Sequence, residues 1–136
     1  MNATPTAFEK RIQLRKARGE DKQAIVRISC STVNFVVEEE WLDDLVKANP
    51  HTVIVAVHDS HVVGFLIFVV REDGVYITHM AVEATLRRNG IGKILMRKLM
   101  NDLQDHGKNS IKMVVDTNDV QCLDFCKSVG FRSVGV

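Results

Sequence analysis

Apolar residues recur along this chain at two spacings, and the switches between them mark out its elements. Ile12 to Ala17 alternates and predicts a short first strand. After Gly19, Glu20 and Asp21 the period changes, and Ala24, Ile25 and Ile28 fall at helical spacing. A second helix is predicted over Glu38 to Ala48, "EEEWLDDLVKA", stopped by Asn49 and Pro50. Three strands follow, "TVIVAVH", Val62 to Val70 and "VYITHMAV". The turns "DSH" and "REDG" join them, with Asp73-Gly74 supplying backbone freedom to the second. Helical spacing returns from Ile91 to His106, where Ile91, Ile94, Leu95, Leu99 and Leu103 form an apolar stripe and Gly107 marks the stop. "IKMVV" predicts another strand, Asp119 to Val129 a helix, and "FRSVGV" a last short strand.

Hairpins in the first half and strand–helix–strand crossovers in the second imply an α/β fold of the α+β type. Its sheet would be mixed and mostly antiparallel, with about six strands and about four flanking helices. The longest apolar run, "VVGFLIFVV", is nine residues and contains a glycine. A membrane-spanning helix needs about 20 apolar residues, so this run reads as a strand buried on both faces. The first residues, "MNATPTAFEKR", lack the apolar core of a signal peptide, and residues 1–10 read as a flexible segment. A chain of 136 residues fits one domain, spanning 1–136.

Composition narrows the function mainly by exclusion. A formal charge of +1 provides no global field for nucleic acid or an acidic membrane, so any cationic work must be local. Three cysteines, Cys30, Cys122 and Cys126, are too few and odd in number for a disulfide scaffold and suit a reducing cytoplasm. The five histidines and three cysteines show no metal-ligand spacing.

The local cationic feature is "RRNGIGKIL", Arg87 to Leu95, which opens the helix predicted from Ile91. A dinucleotide fingerprint would need a third glycine where Leu95 stands. A P-loop would need glycine at Arg87 and Ser or Thr at Ile94. Neither motif fits. What remains is a strand, Arg87-x-x-Gly90-x-Gly92, and a helix. Glycines let a ligand approach the bare amides of a first helical turn, whose dipole favours an anion. Arg87, Arg88 and Lys93 add positive charge at the end where cations work against helix stability. That arrangement favours an anionic ligand; two glycines and three cations alone leave a plain turn open as well.

"MAVEATLRRNGIGKILMRKLM" resembles the signature segment of the GNAT superfamily of N-acetyltransferases. In that family a strand with an apolar-x-Val ending leads to Arg or Gln-x-x-Gly-x-Gly or Ala at a helix start. "DVQCLDFCKSVGF" is similar to the family's closing helix, which commonly ends in Gly-Phe, here Gly130-Phe131. The resemblance extends from Ile12 almost to the end of the chain. It implies acetyl-CoA as co-substrate, with the pyrophosphate on the turn formed by Arg87, Arg88, Asn89, Gly90, Ile91, Gly92 and Lys93. It also implies that the pantetheine arm runs along the backbone of Met80, Ala81 and Val82. The implied reaction is direct attack of a neutral amine on the thioester, with the Val82 amide stabilising the oxyanion.

The resemblance weakens where protons move. Many family members carry a glutamate where this chain has Thr78, and threonine cannot be the base that strips an ammonium. His79 titrates in the right range and is the candidate base, although neighbouring strand residues are expected on opposite faces. A base acting through ordered water, or a substrate arriving neutral, is the alternative. The family's tyrosine acid falls on Cys126, which reads either as an acid toward the CoA sulfur or, with Cys122 on the same helix face, as a small core residue. The family's asparagine near this helix falls on Asn118 or Asp119, according to register.

The acceptor, an amine of a small molecule or protein, would meet the first two helices. There Glu38, Glu39, Glu40, Asp43 and Asp44 cluster, although acids at a helix start also complement its dipole. Trp41, Phe35 and Val36 read as core or pocket walls. Family members commonly carry one more strand than is found after Phe131, so a homodimer covering that edge is expected. A GNAT-like module that binds acetyl-CoA without turnover is the rival reading, motivated by Thr78 and Cys126.

Overall fold

The strand Val53–His58 (β2) is apolar at five successive positions because helices cover both of its faces. Val53, Val55 and Val57 belong to one core and Ile54 and Ala56 to the other. Strand periodicity assigns them in this way, since alternate side chains point to opposite sides of a pleated sheet. The structure, a computed structural model, describes residues 11–29, 37–105, 107, 110–115 and 118–134. Phe35, Val36, Cys30 and residues 1–10 lie outside the described residues.

β2 stands second in a five-stranded sheet of order β1-β2-β3-β4-β5. Its neighbours are β1 (Gln13–Lys16) and β3 (His61–Arg71), followed by β4 (Gly74–Val82) and β5 (Ile111–Met113). All pairings are antiparallel except β4 with β5, which is parallel. The helices α1 (Lys22–Ser29) and α2 (Glu39–Ala48) put Ile25, Ile28, Leu42 and Val46 into the first core. Helix α3 (Ile91–Asp105) fills the second core with Ile91, Leu95, Met96, Leu99 and Leu103, and α4 (Val120–Ser128) joins it through Phe125. Met96 is buried on this stripe, whereas the expected Ile94 is only half-buried.

The sheet has five strands among the described residues, one fewer than expected. The missing strand is the one predicted from Phe131, where residues 131–134 have no regular structure. The chain there closes α4 instead. The amides of Val129, Gly130 and Phe131 donate to helix carbonyls, with Phe131 N to Cys126 O at 2.9 Å, and Gly130 adopts φ +100°. This is how a helix end satisfies its last carbonyls.

Two irregularities in the sheet matter for the site. In β3 the register shifts at Val63, so Val63 and Gly64 both face α3. A Cβ on Gly64 would lie 3.2 Å from Ile91 Cγ2 and 3.3 Å from the Ala81 carbonyl, so glycine lets the first residue of α3 rest on the sheet. In β4 the shift falls at Thr78: Ile77 opposes Phe68, His79 opposes Ile67, and Thr78 is the additional residue. Val75 and Ile77 therefore face α3 together with Met80 and Val82, while Ala81 faces α1 and α2.

The first helix is anchored by an ion pair. Asp21 is 4% exposed and accepts from Arg15 Nη1 at 2.6 Å, Arg15 Nη2 at 3.0 Å and the Arg18 amide at 2.7 Å. Burial alone would push its carboxyl up, but the guanidinium and the amide hold it below the ordinary carboxylate value. Asp21→Asn is expected to cost about 3 kcal/mol, because it leaves Arg15 without its counter-charge. Denaturant melts at several pH values check this. The gap to wild type should persist above the ordinary carboxylate range and close as pH falls through the lowered pKa, where wild type loses the same charge.

Candidate active site

Pairing between β4 and β5 covers only Val75–Ile77 against Ile111–Met113 and stops at the Thr78 bulge. Past that point β4 runs on to Val82 with β3 alone as its strand partner among the described residues. The Glu83 amide donates to Val63 O at 2.8 Å, which sets the phase of the ladder. Antiparallel hydrogen bonding alternates, so His79 and Ala81 turn their backbone groups to β3, and Met80 and Val82 turn theirs to the open side. Of the three expected backbone partners, Met80 and Val82 thus present polar groups there. Ala81 contributes a buried methyl to the opposite core.

The open side of β4 runs into the glycine turn. A 3-10 turn, Ala84–Leu86, leads to Arg87, and then Arg88 and Gly90 take positive φ of 68° and 84°. Arg88 adopts a conformation that side chains generally avoid, a local strain placed beside the helix start. Gly90 O accepts the first helical bond, from Ile94 N at 3.0 Å, so Gly90 is the cap residue and brings no side chain to the amides of Ile91, Gly92 and Lys93. The first turn of α3 contains no acid, whereas α2 begins with Glu39 and Glu40. Arg87, Arg88, Asn89 and Lys93 are exposed around it. Arg87 Nε reaches Val82 O at 3.3 Å, and the Asn89 amide donates to Leu86 O at 3.0 Å, which ties the turn to the strand end.

Gly92 is glycine for a reason beyond ligand approach. A Cβ there would stand 2.9 Å from Phe125 Cε1 and 3.3 Å from Met80 Cε. The ring of Phe125 from α4 packs against the start of α3. Sequence reading missed this contact because neighbouring Cys126 held the motif position.

On the other face of β4, the bulge corrects the expectation that Thr78 and His79 point apart. The additional residue absorbs the alternation, and Thr78 Oγ1 lies 3.0 Å from His79 Nδ1. His79 also meets Trp41 of α2, with ring centroids 5.1 Å apart and planes tilted by 47°. Trp41 is 39% exposed, so it is a wall of the site and not part of the core. Burial pushes the imidazole pKa below its ordinary value, keeping it neutral near pH 7. The acids of α2 divide: Asp43 is tied to Lys22 at 2.6 Å and Lys47 at 2.9 Å, while Glu38, Glu39 and Glu40 are exposed.

Cys126 is buried, with Sγ 4.0 Å from Met113 Sδ, and Cys122 lies half-buried one helical turn before it. At the start of α4 the cap is Asp119, whose carboxylate accepts from Cys122 N at 3.0 Å. Asn118 is exposed in the turn before it. A further contact that no local pattern reveals spans 56 positions: Arg27 Nη1 of α1 bridges both Glu83 oxygens at 3.0 and 2.9 Å, beside the end of β4.

A glycine-capped, cation-ringed helix start at the end of a half-paired strand suits a ligand with phosphates at one end and amides along its arm. The sequence profile of the acetyltransferase (GNAT) family matches residues 15–131, and the chain belongs to that family. It is an acetyl-CoA-dependent N-acetyltransferase acting on an amine. No protein of curated function matches the sequence. Among solved structures it is similar to Ard1 from Thermoplasma volcanium, at 22% identity and a TM-score of 0.85, over 92% of this chain and 85% of that one. It is also similar to the ribosomal-protein-S18-alanine N-acetyltransferase from Escherichia coli, at 17% identity and 0.77, over 91% and 79%. PaiA N-acetyltransferase from Thermoplasma acidophilum, in complex with coenzyme A, matches at 18% identity and 0.72, over 89% of each chain. At these identities the likeness is one of fold. No helix among the described residues is long and apolar enough to cross a membrane.

Trp41 accounts for part of the burial of His79, so Trp41→Ala is expected to raise the His79 pKa toward the ordinary value. A proton NMR titration of the ring resonances reads this directly. An unchanged pKa would mean that the sheet, and not Trp41, excludes water from the ring.

Proposed function

We propose that the open side of β4 and the turn Arg87–Lys93 hold acetyl-CoA, and that His79, on the opposite face, prepares the acceptor amine. The observation that carries this is the halt of β4–β5 pairing at Ile77–Met113, which leaves the backbone of Met80 and Val82 turned outward and leading to the glycine-capped start of α3. Met80 and Val82 offer the strand-like partners that an amide-bearing arm needs. The amides of Ile91, Gly92 and Lys93, with Arg87, Arg88 and Asn89 around them, suit a pyrophosphate. Asn118, exposed in the turn before α4, is a further candidate for this ligand.

Acetyl-CoA, when bound, supplies an acetyl thioester open to attack by a neutral amine. In this reading the Val82 amide faces the thioester carbonyl and takes the developing negative charge. His79, neutral because it is half-buried, accepts the ammonium proton and restores the nucleophile. Cys126 is held in the core against Met113, which supports a packing role over proton donation to the leaving thiolate. Exposed Trp41, close to His79, and the exposed Glu38, Glu39 and Glu40 at the start of α2 favour a cationic amine. Two reduced cysteines, Cys122 and Cys126, support a cytoplasmic location. The homodimer expected over the strand from Phe131 would instead meet β5, the edge strand of the described sheet, and the exposed Val114 directly after β5 supports that reading.

Calorimetric titration with acetyl-CoA tests the cofactor side. The Arg87→Glu, Arg88→Glu double variant should weaken binding by about tenfold or more, since two cations beside a pyrophosphate become anions. Gly92 is a poor probe, because its substitution displaces Phe125 as well. Release of CoA thiol with a panel of amines tests the rest. His79→Gln should lower kcat/KM about a hundredfold at neutral pH while leaving acetyl-CoA affinity unchanged. Wild type that binds acetyl-CoA tightly yet turns over no amine would support the non-catalytic module instead.

A further inference from the structure

Thr78 occupies the place where the resemblance leads one to expect a carboxylate, and its own contacts suggest what it does there. Its Oγ1 lies 3.3 Å from the carbonyl of Ile67 and 3.0 Å from Nδ1 of His79. A hydroxyl has one proton to donate, and a carbonyl can only accept. If the hydroxyl donated to Nδ1, its oxygen would face the Ile67 oxygen with no proton between them, a repulsive contact in a half-buried position. Both contacts are satisfied only when the hydroxyl donates to Ile67 O and receives the Nδ1 proton.

We propose that Thr78 is a positioning residue that fixes His79 as its Nδ1–H tautomer, so that Nε2 carries the lone pair. The Thr78 bulge makes this possible, because only an additional residue in β4 puts neighbouring side chains on one face of the strand. The chain Ile67 C=O, Thr78 O–H, His79 Nδ1–H then anchors the imidazole to β3, the strand paired with its own backbone. Trp41 holds the ring from the α2 side. The functional meaning rests on the reading of His79 as the base: with Nδ1 engaged by Thr78, Nε2 is the atom that accepts the proton from the amine. The transfer is balanced within that step, as the ammonium N–H bond breaks, an Nε2–H bond forms, and the ring becomes an imidazolium.

Long-range nitrogen–proton NMR correlation on the full, 15N-labelled chain tests the tautomer without any substrate. At about pH 8, above the histidine range, wild type should show a pyrrole-like Nδ1 and a pyridine-like Nε2 for the ring that disappears in His79→Gln. Thr78→Val should abolish this preference and lower kcat/KM about fivefold to tenfold with KM for acetyl-CoA unchanged. Thr78→Ser, which keeps the hydroxyl, should restore both. A pyridine-like Nδ1 in wild type, or an unchanged tautomer in Thr78→Val, overturns the proposal. If the nitrogen shifts behave as expected while His79→Gln turns over amines at the wild-type rate, the tautomer assignment stands and the reading of His79 as base falls.

Discussion

The pairing of β4 with β5 ends at Ile77–Met113, and the organisation of the site depends on that stop. A fully paired β4 would have no polar backbone to offer, because every amide and carbonyl would be spent within the sheet. Stopping at the bulge leaves five residues, Thr78 to Val82, that are supported by β3 on one side and open on the other. Support from β3 keeps the strand extended, so Met80 and Val82 present their groups in a fixed direction. The same bulge shifts side-chain parity, which sends Met80 toward α3 and His79 toward α2.

The turn at the end of β4 uses the opposite strategy from the other helix starts. Glu39 and Glu40 complement the dipole of α2, and the Asp119 carboxylate caps α4. Gly90 brings no side chain of its own to the start of α3, around which Arg87, Arg88 and Lys93 are exposed. Packing holds this unfavourable end in place: Gly64 lets Ile91 sit on the sheet, and Gly92 makes room for Phe125. The glycines thus serve internal contact at two positions and backbone geometry at a third, where Gly90 takes positive φ.

Much of this was legible from the chain. The alternation in β1, the helical stripe of α3 and the turn residues at Asp73-Gly74 report local physics, and these elements appeared within a residue or two of their expected bounds. The glycine turn was also legible as a structural feature, because a helix start ringed by cations departs from the charge pattern that helix stability favours. The final strand was misplaced because Phe131 to Val134 carry apolar residues suited to a strand, while their amides were already claimed in closing α4. Period alone does not report which hydrogen-bond groups remain available.

The relation of Thr78 to His79 marks the boundary. Sequence by itself determined that the chain forms one mixed sheet flanked by helices, places a cation-ringed glycine turn after a central strand, and carries a histidine next to the position where the family's glutamate is expected. It assigned that histidine to the opposite face from its neighbour, since strict alternation is all that neighbouring positions imply. Only the tertiary structure inserted the additional residue, because a bulge is decided by how β3 and β4 fit between α2 and α3. The Trp41 contact and the Arg27–Glu83 pair have the same origin: they join residues far apart in the chain, whose approach is set by packing and not by local propensity.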